Sequence, residues 1–266
     1  MNIQIKFKNL SAAWVLACFV CCRSYSPSLS EKVTSTSVER LKAYVIQEYP
    51  HPSLFTEGFF LHEGLIYESA GPMGQGGIFT YSIGSREPLL FAENRGKKIF
   101  PEGIASDGKR IVHITETGKR AKFFDLYTNR LLEEIPFDGV GWGLCYDGEH
   151  FIRSDGTSRL FFHDVTTFKV GRVIDVTLEN EPVTNLNELE CVNGKIYANI
   201  WFSKEIIRID AATGKVDALI DVSPVVDQEI RIRPHSILNG IAYDPKTEHF
   251  LITGKRWGKI YEVKFE

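Results

Sequence analysis

Short apolar runs alternate with polar turns from about Leu41 to the end of the chain, and no stretch keeps the three-to-four-residue period of an amphipathic helix. The pattern predicts strands throughout. The runs group into a repeat of one apolar run, a turn ending in Gly or Pro, a second apolar run and a polar tip, which recurs five times. The copies are Glu57-Gly58-Phe59-Phe60 with Leu65-Ile66-Tyr67, Glu102-Gly103-Ile104-Ala105 with Ile111-Val112-His113, and Trp142-Gly143-Leu144-Cys145 with Phe151-Ile152-Arg153. The fourth is Glu188-Leu189-Glu190-Cys191 with Ile196-Tyr197-Ala198, and the fifth Asn239-Gly240-Ile241-Ala242 with Phe250-Leu251-Ile252. Successive copies start 45, 40, 46 and 51 residues apart.

Asp107-Gly108, Asp147-Gly148, Asn193-Gly194 and Asp244-Pro245 supply hairpin turns between the first two runs. Later runs supply third strands, and fourth strands follow the turns at Thr128-Asn129 and Thr213-Gly214. Four short antiparallel strands in about 40 to 50 residues is the period of a propeller blade. The expected fold class is therefore all-β, a five-bladed β-propeller. The last copy ends after its third strand, Gly258 to Phe265, and the run Leu41 to Tyr49 is the natural donor of the missing fourth. An N-terminal strand closing the last blade in this way leaves no free edge. A two-sheet sandwich would use the same strands without explaining their period.

In a blade the first strand lines the axis and the second runs antiparallel to it, so first-strand starts and second-strand ends share a face. First-strand starts here hold Phe55-Thr56-Glu57, Phe100-Pro101-Glu102, Gly141-Trp142, Asn187-Glu188 and Leu238-Asn239. Second-strand ends hold Ser69-Ala70-Gly71, Thr115-Glu116, Ser154-Asp155-Gly156, Ile200-Trp201 and Gly254-Lys255-Arg256-Trp257. Carboxylates, amides, a lysine and at least two tryptophans would converge on one funnel, the composition of a site for a small molecule or a peptide end. The alternative is that Trp142 and Trp201 plug the channel and the acids cap strand ends.

Composition narrows the function classes. The chain is 43% hydrophobic and 24% charged, ordinary for a globular domain, with a formal charge of -3 and scattered basic residues. That excludes an electrostatic footprint for nucleic acid or a polybasic membrane patch. There is no Gly-rich phosphate loop, no Cys-x-x-Cys and no His pair at metal spacing, so neither a cofactor nor a metal is expected. The seven histidines are dispersed and read as surface or strand residues, and a monomer is expected.

Lys6 and Lys8 precede an apolar run from Leu10 to Val20 that is too short to span a bilayer, so residues 1–22 read as an export signal. Val15-Leu16-Ala17-Cys18 fits a bacterial lipoprotein signal, with Cys18 as the lipid anchor. Plain secretion with a later cleavage stays open, so the expected location is periplasmic, membrane-anchored as a lipoprotein, or secreted. Residues 23–40, rich in Ser with Pro and Thr, read as a tether, leaving 41–266 as the propeller. Of five cysteines only Cys145 and Cys191 fall in that domain, and as members of apolar runs they read as buried free thiols.

From about Ala43 onward the chain resembles the plant and bacterial glutaminyl-peptide cyclotransferases. The resemblance rests on FTEG at Phe55, FPEG at Phe100, GWGL at Gly141, SDGTSRLFFHD at Ser154, LNELE at Leu186, YANIW at Tyr197, LNGIAYD at Leu238 and TGKRW at Thr253. It implies a five-bladed propeller acting on the N-terminal glutamine of peptides or proteins, with Glu102 as catalytic proton shuttle. It further implies Trp142, Trp201, Asn187 and Lys255 as substrate-binding residues and Phe55 as a binding aromatic. Phe100, Glu57 and Glu116 fall at neighbouring funnel positions. In the family, glutamine usually stands where Glu57 does and a further tryptophan commonly stands where Glu116 does, so this pocket is expected to be more acidic and less aromatic.

Cyclising an N-terminal glutamine joins its own α-amine to its own side-chain amide carbonyl and releases ammonia. Nucleophile and electrophile are tethered, so one carboxyl group that moves protons suffices. Glu102 packed against the tryptophans would have a raised pKa, and Asn187 or Lys255 would meet the negative oxygen. Two other readings use the same geometry. A metal-dependent propeller lactonase or esterase would hold a divalent ion on Glu57, Glu102, Asn187 and Asp155. A non-catalytic surface propeller would capture a peptide end or sugar without chemistry.

Overall fold

The computed structural model describes residues 37–72, 76–93, 99–116 and 118–266. Every described residue belongs to one compact unit, Thr36–Glu266. The expected export signal, Cys18 and most of the tether lie outside the described residues.

Strand β1 (Glu39–Pro50) is followed by three four-stranded meanders in chain order. The first contains β2 (Thr56–His62), β3 (Leu65–Ala70), β4 (Gly77–Ser82) and β5 (Leu89–Glu93). The second contains β6 (Pro101–Ser106), β7 (Arg110–Thr115), β8 (Arg120–Asp125) and β9 (Leu131–Pro136). The third contains β10 (Leu144–Tyr146), β11 (His150–Arg153), β12 (Arg159–Asp164) and β13 (Val170–Asp175). A short hairpin, β14 (Thr177–Leu178) with β15 (Glu181–Pro182), leads to β16 (Leu186–Val192), β17 (Lys195–Ile200), β18 (Glu205–Asp210) and β19 (Val216–Asp221). After these come β20 (Ile237–Asp244), β21 (His249–Lys255) and β22 (Lys259–Phe265). The last seven strands and β1 make one eight-stranded sheet, ordered β16-β17-β18-β19-β1-β22-β21-β20.

The junction in that sheet is β1. Its first residues, Glu39 to Lys42, pair parallel with Ala218 to Asp221 of β19. From Ala43 to Pro50 it pairs antiparallel with β22, as the missing fourth strand required. Pairing thus begins at Glu39, two residues inside the segment expected to be tether.

The turns follow local side-chain chemistry. Asp107 Oδ1 accepts hydrogen bonds from the backbone N–H of Lys109 and Arg110, and Asp147 Oδ1 does the same for Glu149 and His150. At the third-to-fourth strand corners, Asp125, Asp164 and Asp210 each accept from the backbone N–H and the hydroxyl of the threonine three residues on. Apolar side chains fill the space between neighbouring sheets, as where Phe60, Tyr67 and Ile78 of the first meet Ile104, Ile111 and Phe124 of the second.

The first strands of the repeats pack against one another through glycine. A Cβ on Gly58 would lie 2.7 Å from Ile104 N, one on Gly103 would lie 2.5 Å from Leu144 N, and one on Gly143 would overlap the Asn187 carbonyl. Gly240 holds the same place in the fifth repeat, whereas the fourth has Leu189 there, preceded by Glu188. The Glu188 side chain fills the space the glycines leave, accepting hydrogen bonds from Phe59 N at 3.3 Å and Ile241 N at 2.8 Å. Fully buried, its carboxyl is held well above the usual carboxylate range.

Three expectations are corrected. Helix α1 (Ser223–Ile232) stands between β19 and β20, so the fold is nearly, not wholly, all-β. It escaped the pattern because only Val225 and Val226 supply its buried apolar face and the third buried residue is Glu229. That carboxylate accepts from Tyr261 Oη at 2.9 Å and Gly258 N at 3.1 Å and pairs with Arg233 at 3.3 Å. Cys145 and Cys191 are not free thiols but a disulfide between β10 and β16, with Cα atoms 5.5 Å apart. Their separation of 46 residues equals the repeat spacing there, which sets equivalent positions of adjoining first strands side by side. Finally, His51 lies neither on a strand nor at the surface. It is buried, bridging Trp257 O at 2.9 Å and Glu68 Oε2 at 3.0 Å.

Candidate active site

Four of the five first strands carry a register irregularity at their start. It falls between Thr56 and Gly58, between Pro101 and Ile104, between Leu186 and Leu189, and between Leu238 and Ile241. Such bulges take a residue out of the ladder and re-aim its side chain. The residues inside them include Glu57, Glu102 and Asn187. In the third sheet Gly143 N donates to Ser154 Oγ at 2.7 Å, and that hydroxyl donates to Asn187 O, also at 2.7 Å. Ser154 thereby ties the Trp142 segment to the Asn187 bulge, a positioning role the repeat pattern did not single out.

These starts and the facing second-strand ends open on a cavity of about 270 Å³. It is lined by Phe55, Glu57, Phe100, Glu102, Glu116, Trp142, Asn187, Trp201, Ile237 and Lys255. Every residue singled out from the sequence for substrate or catalysis is therefore brought together, and Ile237 is added. Ile237 is the cross-strand partner of Lys255. Asp155 is not among the lining residues; its carboxylate accepts from Thr157 N at 3.0 Å in a local turn.

The walls are aromatic. Trp142 and Trp201 meet edge to face with centroids 5.5 Å apart, and Trp201 stacks on Phe202 at 4.5 Å. Trp142 rests on Gly156, where an added Cβ would lie 2.6 Å from its ring and where φ is +80°. Glycine there allows both the left-handed turn and the ring. The sequence hinted at this only through the Asp155-Gly156 turn.

The floor holds two buried carboxyl groups and one cation. Lys255 Nζ lies 2.5 Å from Glu57 Oε2 and 5.0 Å from the centre of the Phe55 ring. Glu57 Oε1 is buried with no partner among the described residues. Burial pushes the Glu57 carboxyl up to about 7, with Lys255 opposing the rise and the Glu116 charge adding to it. Glu102 is 5% exposed, and no described group hydrogen-bonds its carboxyl. Burial and then the charge of Glu57 hold it well above the usual carboxylate range, against the pull of Lys255. The cavity thus offers a neutral carboxyl group that can donate and then accept a proton, beside an ammonium and between aromatic walls. Among the described residues, no group of three or more His, Cys, Asp or Glu side chains is placed to hold a metal.

The chain is similar to known glutamine cyclotransferases. The sequence profile of the glutamine cyclotransferase family matches residues 15–265. The chain is 31% identical over 229 residues to the glutaminyl-peptide cyclotransferase of Arabidopsis thaliana, spanning 84% of this chain and 71% of that protein. The crystal structure of Myxococcus xanthus glutaminyl cyclase superposes with a TM-score of 0.80 at 37% identity, covering 86% of this chain and 99% of that one. With the profile spanning nearly all of it, this β-propeller belongs to the glutamine cyclotransferase family.

Proposed function

We propose that this chain is an enzyme that converts the N-terminal glutamine of peptides or proteins to pyroglutamate with release of ammonia, on a five-bladed propeller, with Glu102 as the proton shuttle. The observation that carries the reading is a buried carboxyl group with no hydrogen-bond partner among the described residues and a raised pKa, in a cavity lined by Trp142, Trp201, Asn187 and Lys255. The five-blade count is supported by the five repeats and by the division of the eight-stranded sheet at β1.

In this mechanism the cavity selects the rotamer that brings the neutral α-amine onto the side-chain amide carbon. The new C–N bond forms as the carbonyl π pair moves to oxygen, where Lys255 or Asn187 meets the charge. Neutral Glu102 gives its proton to the amide nitrogen. The oxyanion collapses, the old C–N bond breaks and ammonia leaves. The Glu102 carboxylate then takes the extra proton from the ring nitrogen and is restored. Glu57 fixes Lys255, and Trp142, Trp201, Phe55 and Phe100 enclose the side chain.

The test is Glu102→Gln, which keeps the shape and removes the titrating group. Ammonia release from a Gln-initiated peptide should fall at least about a hundredfold, with the thermal midpoint retained. Near wild-type turnover in a folded variant would remove the role.

We further infer that residues 1–22 direct export, that 23–40 include a tether and that Cys18 is a candidate lipid anchor on an otherwise monomeric protein. Support comes from the Cys145–Cys191 bond, since disulfides persist in oxidising compartments. Metabolic labelling with a fatty acid, lost in Cys18→Ser, is the expected result; no label on the wild-type protein would mean plain secretion.

A further inference from the structure

A second cavity adjoins the first. It has a volume of about 520 Å³ and shares Phe55 and Phe100 with the glutamine site, adding Leu54, Pro72, Phe79 and Arg256. Phe55 divides the two: Lys255, from the site, stands over its ring, and so does the Arg256 guanidinium, from the groove, at 5.4 Å. Most of the groove is apolar, and Arg256 is exposed. Among the described residues no carboxylate pairs with its side chain.

The Arg256 backbone is held where arginine is not favoured. Its φ is +65°, in the left-handed region, and its N–H donates to Leu54 O at 2.7 Å, which ties the residue to the groove wall. Glycine would fit that conformation better, yet the position carries a long cationic side chain over an aromatic ring.

We propose that this groove binds the substrate chain beyond its first residue, taking an apolar side chain next to the glutamine and pairing Arg256 with a carboxylate of the peptide. The inference rests on the glutamine site proposed above. A peptide whose first residue fills the smaller cavity must leave it, and the groove continues from that cavity across Phe55 and Phe100. Leu54, Pro72 and Phe79 then offer an apolar surface and Arg256 a cation that no carboxylate among the described residues pairs with. The carboxylate has two possible sources, an acidic side chain or the C-terminus of a short peptide.

The experiment compares kcat/KM for Gln-Phe-Ala-amide, Gln-Phe-Asp-amide, Gln-Phe-Ala with a free C-terminus, and Gln-Ser-Ala-amide, in wild type, Arg256→Gln and Arg256→Glu. An exposed ion pair predicts a three- to fivefold preference for a carboxylate-bearing peptide, a ratio of about one in Arg256→Gln and a reversed preference in Arg256→Glu. Which carboxylate peptide shows it identifies the source. Phe against Ser at the second position should give about tenfold. A preference unchanged by Arg256→Gln, or no carboxylate preference in wild type, overturns the assignment of Arg256, and equal rates for Phe and Ser overturn the apolar part. Dissociation constants of the matching pyroglutamyl peptides give the same ratios without turnover. Failure of the glutamine reading would appear instead as no ammonia from any peptide, and the product dissociation constants would still decide the groove.

Discussion

Glu57 and Glu102 sit in one cavity, but only Glu57 has a cation at contact distance. Below about pH 7 the Glu57 carboxyl is protonated and keeps only a hydrogen bond from the Lys255 ammonium; above it the pair is ionic. If the pair fixes Lys255 for the developing oxyanion, the pH profile of kcat should carry an inflection near 7, and Glu57→Gln should abolish it, with activity at pH 8 lowered to the wild-type plateau below the inflection. A profile with the inflection intact in the variant would place it on another group. A second expectation concerns Trp142. Gly156→Ala puts a methyl group where the indole lies and strains a left-handed residue, so kcat/KM should drop by about tenfold or more, with quenching of Trp fluorescence by added acrylamide altered. The lining residues were legible because each repeat marks its first-strand start and second-strand end. The Glu57–Lys255 pairing was not, because which carboxyl group takes the lysine depends on distances between β2 and β21, strands far apart in the chain.

Regular elements were legible wherever the period of two and the Asp-Gly turns coincide, as in the hairpins of β6 with β7 and β10 with β11. Helix α1 was not, because its buried face is held by the carboxylate of Glu229 rather than by an apolar stripe. The disulfide could have been found by comparing the 46-residue cysteine separation with the repeat spacing, since adjoining first strands bring equal positions together. Closing a loop of that length restricts the unfolded chain, so Cys145→Ser with Cys191→Ser should cost about 2–4 kcal/mol in denaturant melts, with the cyclising activity at low temperature largely kept. A variant as stable as the parent would show that packing between β10 and β16 alone holds the two sheets.

Taken as a whole, the molecule buries an unusual set of acids. Glu57, held near 7, and the half-buried Glu190, near 8, are joined by Glu102 and Glu188, both well above the usual range, all raised chiefly by loss of solvent around the carboxyl. A carboxyl group whose pKa is higher folded than unfolded adds stability that is lost as pH rises through the folded value. The buried histidines His113, held near 3, and His163, near 4, act in the opposite sense and lose stability as pH falls below about 6.5. Thermal midpoints at constant ionic strength should therefore climb from pH 8.5 to 6.5 and climb less steeply below it. A midpoint that rises with pH across the upper range would mean that these acids are ionised in the fold.

The pairing of β1 with β22 has a consequence for biogenesis. Tyr49 and its hydrogen-bond partner Glu262 are 213 residues apart, so β1 leaves the ribosome long before its partner β22. Until then β1 presents an open hydrogen-bonding edge from Ala43 to Pro50, free to recruit a neighbouring nascent chain. A chain held extended until β22 is complete avoids that exposure, and its two ends then close the last sheet together.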